Sequence, residues 1–183
     1  PSLGQALFKA LAQRLDDPAR ASALFERAAR DALANGDYRG CAELYLLARS
    51  SSPDAQQARR HFHAALRALQ SGNQLLAALE LGERELGDLA DDPDTLLLLT
   101  QLARAAGRPE VADRHIRRLL KISLMQQWQA LQVARAWGEG EFRNVSEKGA
   151  PRGPGIAFDD KIFTLGYEVF LENRKLEDAW QVA

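Results

Sequence analysis

The chain has 183 residues, 46% hydrophobic and 27% charged, which is the make-up of a globular or repeat protein and excludes wholesale disorder. Its 24 Lys and Arg against 25 Asp and Glu leave a formal charge of −1, which excludes the overall basic field that steers proteins to nucleic acid or anionic membranes. No apolar run approaches the roughly 18 residues needed to cross a bilayer, Leu96 to Leu99 being the longest clear one.

From the N-terminus, Leu3, Leu7, Leu11 and Leu15 recur at helical spacing and predict a helix within residues 1–16. Three dipeptides then punctuate the chain: Asp17-Pro18, Ser52-Pro53 and Asp92-Pro93. Each sets a capping side chain before a proline, the pattern of an N-cap followed by the first helical position, where the missing N–H costs nothing. Between them Gly36, Gly72 and Gly107 each close one periodic segment and open another, as glycines in the left-handed conformation after a helix. They stand 36 and 35 residues apart, so a helix pair recurs.

The packing positions recur with them. Counted from each glycine, the fifth following residue is small (Cys41, Ala77, Ala112) and the ninth is larger and apolar (Tyr45, Leu81, Ile116). The fourth preceding residue is alanine (Ala32, Ala68, Ala103) and the seventh is small (Ala29, Ala65, Thr100), which lets two antiparallel helices approach closely. One hairpin cannot bury its apolar face alone, so neighbours stack, and the predicted fold is an all-α solenoid of antiparallel hairpins in a right-handed superhelix.

Met125 to Trp137 reads as a further helix, with Trp128, Leu131, Val133, Ala134 and Trp137 on its apolar face. The predicted organisation is therefore helical repeats over 1–137, a Gly/Pro-rich irregular loop over 138–158 and a further hairpin over 159–183. The apolar pattern Leu176, Ala179, Trp180, Ala183 runs to the last residue, which predicts a segment of a longer solenoid.

Candidate chemistry is sparse. His61 and His63 lie two apart on a helix and point in different directions, so they do not share a metal. His115, beside Arg114, Arg117 and Arg118, is expected on a solvated face near a helix C-terminus. Cys41 occupies a small-residue packing position and is expected to be inert; as the sole cysteine it suits a reducing compartment without deciding on one. The Asn144-Val145-Ser146 triplet carries no weight outside a eukaryotic secretory context. With no nucleophile elbow, metal motif or phosphate loop, the chain is expected to hold other molecules without catalysis, metal or cofactor.

These positions resemble the tetratricopeptide repeat, a helix-turn-helix unit of roughly 34 residues. Gly36, Cys41, Tyr45, Ala48 and Pro53 fall at the spacing of its signature positions. The second unit departs by about four residues before Pro93 and has Arg84 in place of a small residue, and the third lacks the closing proline. Leu165-Gly166, Asn173 and Ala179 resume the pattern with one residue too many after Gly166. The match covers residues 19–122 and 159–183, with 2–15 as the second helix of a preceding unit.

The resemblance implies a concave groove lined from the first helices of the hairpins. Carried over, the candidate partner-binding residues are Glu26, Arg30, Arg59, Phe62, Gln70, Gln101 and Arg104, with Leu66 and Asp94 beside them. Family members that grip acidic C-terminal peptides place lysine and asparagine where Glu26 and Arg30 stand, so that mode is disfavoured. The stretch from Gly153 to Ala183 is similar to the periplasmic repeat region of outer-membrane exporters of Pel exopolysaccharide. That similarity implies a periplasmic docking scaffold for a polysaccharide deacetylase/hydrolase, in biofilm formation. The alternatives are direct guidance of the exported polysaccharide, or a peptide-binding adaptor, including a cytoplasmic one.

Overall fold

The computed structural model describes residues 17–141 and 156–182, together with residues 6–7, 9–11 and 14. The described residues are helical, with no strand among them. Residues 6–7 and 9–11 are helical as expected, and the rest of the predicted N-terminal helix lies outside the described residues. Two compact units follow, residues 1–90 and 91–183.

The first unit contains α1 (Pro18–Ala34), α2 (Tyr38–Ser50), α3 (Ala55–Ser71) and α4 (Leu75–Arg84). The second contains α5 (Pro93–Ala105), α6 (Pro109–Glu141), α7 (Ile156–Glu172) and α8 (Leu176–Val182). A 3-10 turn, Gly87–Asp91, precedes α5. Within each unit consecutive helices pack on each other.

Two of the predicted caps form as expected. Asp17 accepts from the Ala19 N–H at 3.0 Å ahead of Pro18, and Asp92 accepts from the Thr95 N–H at 2.9 Å ahead of Pro93. Ser52 does not cap: α3 begins later, with Asp54 accepting from the Gln57 N–H at 2.8 Å. The Ser52 hydroxyl instead donates to Ala48 O at 2.8 Å and lies 2.9 Å from His61 Nδ1. A carboxylate is the stronger acceptor for a helix N-terminus, because the macrodipole favours its charge.

The turns hold the repeat together, and they correct its register. Gly36 and Gly107 adopt positive φ (+74° and +66°), as the sequence predicts, but Gly72 does not (φ −81°). Asn73 (φ +56°) takes its place, and Arg174 (φ +57°) does the same after α7. At all four, the left-handed residue donates to the carbonyl three back and its successor to the carbonyl five back. These are Gly36 to Leu33 and Asp37 to Ala32, Asn73 to Gln70 and Gln74 to Leu69, Gly107 to Arg104 and Arg108 to Ala103, Arg174 to Leu171 and Lys175 to Phe170, at 2.8–3.0 Å. This is the Schellman pattern, and it satisfies carbonyls that the helix end would leave unpaired.

Counted from these four residues, each next helix starts two later and the fifth residue is small and buried: Cys41, Ala78, Ala112 and Ala179, none more than 1% exposed. Ala77 and Leu81, predicted for the core, are therefore only half-buried, while Ala78, Leu79 and Gly82 face inward. The slip gives the second repeat the longer spacing of the last one: Ala65 to Ala78 and Gly166 to Ala179 are each 13 residues apart, against 12 for Ala29 to Cys41. Gly72 has a different reason to be glycine, since a Cβ there would lie 2.5 Å from Cγ and Cδ2 of Tyr38.

In the first unit, Phe25, Ala28, Ala29, Ala32, Cys41, Leu44, Ala48 and Ala68 form the shared core. Its alanines let helix backbones approach closely. In the second, Leu96, Leu99, Leu102, Ile116, Leu119, Ile162 and Val169 are fully buried, and Gly166 allows Leu120 to approach, with Leu120 Cδ1 3.1 Å from where a Cβ would stand.

The predicted Met125–Trp137 helix is the continuation of α6, which runs unbroken for 33 residues. Residues 138–141 of the predicted loop belong to α6 and 156–158 to α7; residues 142–155 lie outside the described residues, as do the side chains of Trp128 and Trp137. His115 is 5% exposed, contrary to the solvated face expected of it. α5 and α7 both pack on α6, so its buried stripe is broad enough to take in Asp113, His115 and Ser123.

Candidate functional site

The sequence-derived groove residues divide between the units, Glu26, Arg30, Arg59, Phe62 and Gln70 in the first and Gln101 and Arg104 in the second. Each unit is described in turn.

In the first unit α3 turns its faces by the periodicity of its apolar residues: Phe62, Ala65, Leu66 and Leu69 point into the core. Phe62 and Leu66 are completely buried and cannot line a groove. Arg60, His63, Ala64, Arg67 and Ser71 instead face a cleft of about 340 Å³, completed by Leu33 of α1, by Tyr45 of α2 and by Ala68. The shift from Arg59 and Phe62 to Arg60 and His63 is one residue, about 100° of helical rotation. It follows from the register of the turn: counted back from Asn73, the left-handed residue, and not from Gly72, each groove position on α3 moves on by one.

The described lining of this cleft includes two guanidinium groups and an imidazole and no carboxylate. Arg60 and Arg67 lie seven positions apart, two turns along one side of α3, and both are exposed. A cleft bordered by cations over an apolar floor of Leu33 and Ala68 favours an anionic, partly apolar occupant.

Beside the cleft, Arg30 is ion-paired with Glu26 on the same helix. The second oxygen of Glu26 lies 3.5 Å from Nε2 of the buried His61, whose ring stands 6.1 Å from the Tyr45 ring. Burial pushes the Tyr45 phenol above its ordinary range, with Cys41 and Glu26 adding to that and Arg30 opposing it. Glu26 and Arg30 thus brace α1 against α2 and α3 at the edge of the cleft. Gln70 is exposed outside the lining, and Arg59 borders a different cavity with Arg49 and Arg84.

In the second unit Arg104 is consumed by intramolecular pairing. Its Nη1 donates to Glu168 at 2.8 Å and its Nε to Glu172 at 3.1 Å, with Nη2 on the other Glu172 oxygen. The Glu172 carboxyl is held below its usual range by those hydrogen bonds from Arg104. This fork joins α5 to α7 and makes Arg104 a structural residue. Gln101 is exposed on α5.

The same unit carries a buried carboxylate. Asp113 Oδ2 accepts from Lys175 Nζ at 2.8 Å and Arg117 Nε at 3.1 Å, while its Oδ1 is buried without a hydrogen-bond partner. Arg117 also pairs with Asp178 and stacks 4.7 Å over the Phe170 ring. Burial alone would raise the Asp113 carboxyl, but the hydrogen bonds from Lys175 and Arg117 outweigh it and hold it below the carboxylate range.

Cys41 is fully buried, and burial, with Asp37 nearby, pushes its thiol up to about 11. No group of three or more metal-ligating side chains occurs among the described residues. No described helix is long and apolar enough to cross a membrane.

Sequence reasoning missed Leu33, Arg60, His63, Arg67 and Ser71 as cleft residues. For the four on α3 the signal is the phase of Phe62, Ala65, Leu66 and Leu69, which fixes the opposite face without reference to any repeat consensus. A scan against protein-family models finds no match to the chain, and a search of curated proteins finds none either.

Proposed function

We propose that the chain is a non-catalytic docking scaffold of tetratricopeptide type, in which the α1–α3 cleft receives an acidic segment of a protein partner. The observation that carries this reading is the cleft itself, bordered by Arg60, His63 and Arg67, with no carboxylate in its described lining. Its walls are braced by the Glu26, Arg30 and His61 contacts, so little ordering entropy is lost on binding. The four repeated turns support a tandem stack of hairpins.

The partner class follows from the resemblance of the C-terminal stretch to the repeat region of PelB, the outer-membrane exporter of Pel exopolysaccharide. On that reading the scaffold is periplasmic and docks a PelA-like deacetylase/hydrolase during polysaccharide export and biofilm formation. Direct guidance of a partly cationic polymer is disfavoured by the same observation, because such a polymer calls for acidic and aromatic lining. A cytoplasmic peptide-binding adaptor would use the cleft in the same way and differs in its partner.

The test is to immobilise the chain and pass over it, separately, the purified deacetylase/hydrolase and the partly deacetylated polysaccharide. Saturable binding of the enzyme that weakens steeply with salt supports the proposal. Retention of the polymer with none of the enzyme would replace it with polymer guidance.

A further inference from the structure

On a different edge of the first unit, Arg49 at the end of α2, Arg59 on α3 and Arg84 at the end of α4 border one cavity of about 400 Å³. These residues come from three separate helices and share no repeat position, so the convergence is not a by-product of a solvated helix face. Two carboxylates, Glu85 and Asp88, share the lining with these three guanidinium groups.

Arg49 is the organised member. Its side chain is 18% exposed, its guanidinium lies 4.6 Å over the Phe62 ring, and Nη1 donates to Glu85 O at 2.6 Å. Those contacts fix the plane of the fork and turn Nη2 toward the 3-10 turn. There Nη2 reaches Asp88 at 3.3 Å, long against the roughly 2.7–2.9 Å of a well-formed charged pair, and the Asp88 side chain is 80% exposed. The chain bends past the guanidinium at Gly87, at φ +51°, where even an added Cβ would stay 3.7 Å from Nη2. Arg84 pairs with its partly exposed neighbour Glu85, through Nε at 3.0 Å. A fixed guanidinium is thus partnered by a loosely held carboxylate that can swing into solvent.

We propose that Arg49, Arg59 and Arg84 form a second anion site, which takes a carboxylate side chain of an acidic peptide and for which Asp88 is the built-in competitor. The incoming carboxylate replaces Asp88 on Nη2 of Arg49 and adds a bond to Arg84, so affinity is set by how readily Asp88 leaves. This site is independent of the α1–α3 cleft and stands whether or not that cleft binds a partner.

The experiment is an amide-resolved NMR titration of the whole 183-residue chain with a capped tetra-aspartate peptide at fixed ionic strength. Capped tetra-asparagine serves as the control, and Arg60→Gln, Arg67→Gln is the background that silences the other cleft. Saturable shifts at Ser50, Gly87 and Asp88 are expected. Asp88→Asn tightens binding by roughly two- to fivefold, the span of an exposed ion pair. Arg84→Gln, a change at a 69% exposed side chain, weakens it several-fold without altering the urea midpoint. Shifts that fail to saturate, or an affinity unchanged in both Asp88→Asn and Arg84→Gln, would overturn the site. Saturation by an oligogalacturonate but not by the peptide would overturn the peptide assignment.

Discussion

Replacing Gly72 by alanine separates the two reasons a glycine can stand after a helix. Gly72 has φ −81° and ψ 9°, which any residue adopts, so on backbone grounds Gly72→Ala would stabilise the chain by roughly 0.4–1 kcal/mol through the unfolded state. The structure places the added methyl 2.5 Å from Cγ and Cδ2 of Tyr38 and 2.9 Å from its Cβ. Ordinary carbon contacts lie at about 3.5–4.0 Å, so a displacement of about 1 Å is required. The opposing atoms are the base of the Tyr38 side chain, so turning the ring about its own axis does not relieve the overlap; the residue must change χ1 or α2 must shift. Overpacking of this kind costs about 1–3 kcal/mol, and the net expectation is a loss of about 1–2 kcal/mol. Urea unfolding of the wild type, Gly72→Ala, Tyr38→Ala and the double variant forms a cycle. The double variant is expected to be more stable than the sum of the singles by about 1 kcal/mol or more. Additivity within about 0.5 kcal/mol, or a stabilised Gly72→Ala, would refute the Tyr38 explanation.

The left-handed positions behave in the opposite sense. Asn73→Gly and Arg174→Gly relieve positive φ and should leave urea midpoints unchanged or raised, whereas Asn73→Val should lower stability by about 1–2 kcal/mol. Asp113→Asn should cost about 1–2 kcal/mol at pH 7, since two hydrogen bonds from cations are lost and those cations remain partly solvated. Because the folded Asp113 carboxyl lies below its ordinary 3.8, its contribution is present in full above that value and is lost as pH falls through the lower folded value. Chemical unfolding at stepped pH should therefore show wild type and Asp113→Asn converging only below pH 3.8. Cys41, buried and raised to about 11, should resist thiol reagents at pH 8 in the folded chain and label promptly in denaturant. Fast native-state labelling would contradict the packing assigned to it.

The all-helical fold, the Asp-Pro starts and much of the small-residue core were legible because they rest on local chemistry: a carboxylate before proline, glycine after a helix, alanine at close approach. Register was not. Gly72-Asn73 offers two residues for one left-handed position, and the glycine is the misleading one: it stands there to clear Tyr38, 34 residues earlier, while Asn73 takes the positive φ. Arg174 gives no compositional hint of positive φ at all. It is held by the carbonyls of Leu171 and Phe170 it and Lys175 must satisfy, and by Asn173, whose amide donates to Val169 O and Pro109 O. The candidate groove failed for the same reason: positions counted back from Gly72 are one residue out on α3, where Phe62 is buried and Arg60 exposed. Arg104 looked available because Glu168 and Glu172 lie more than 60 positions away in sequence.

The central claim is that the cleft presented by the observed register of α3 is the docking surface. The most direct measurement is the dissociation constant of the deacetylase/hydrolase for three chains of matched stability: wild type, Arg60→Glu with Arg67→Glu, and Gln70→Glu with Gln101→Glu. The account predicts a loss of about tenfold or more for the first variant, as like charges replace complementary ones, and a much smaller change for the second. Equal losses, or a loss confined to Gln70→Glu with Gln101→Glu, would contradict it.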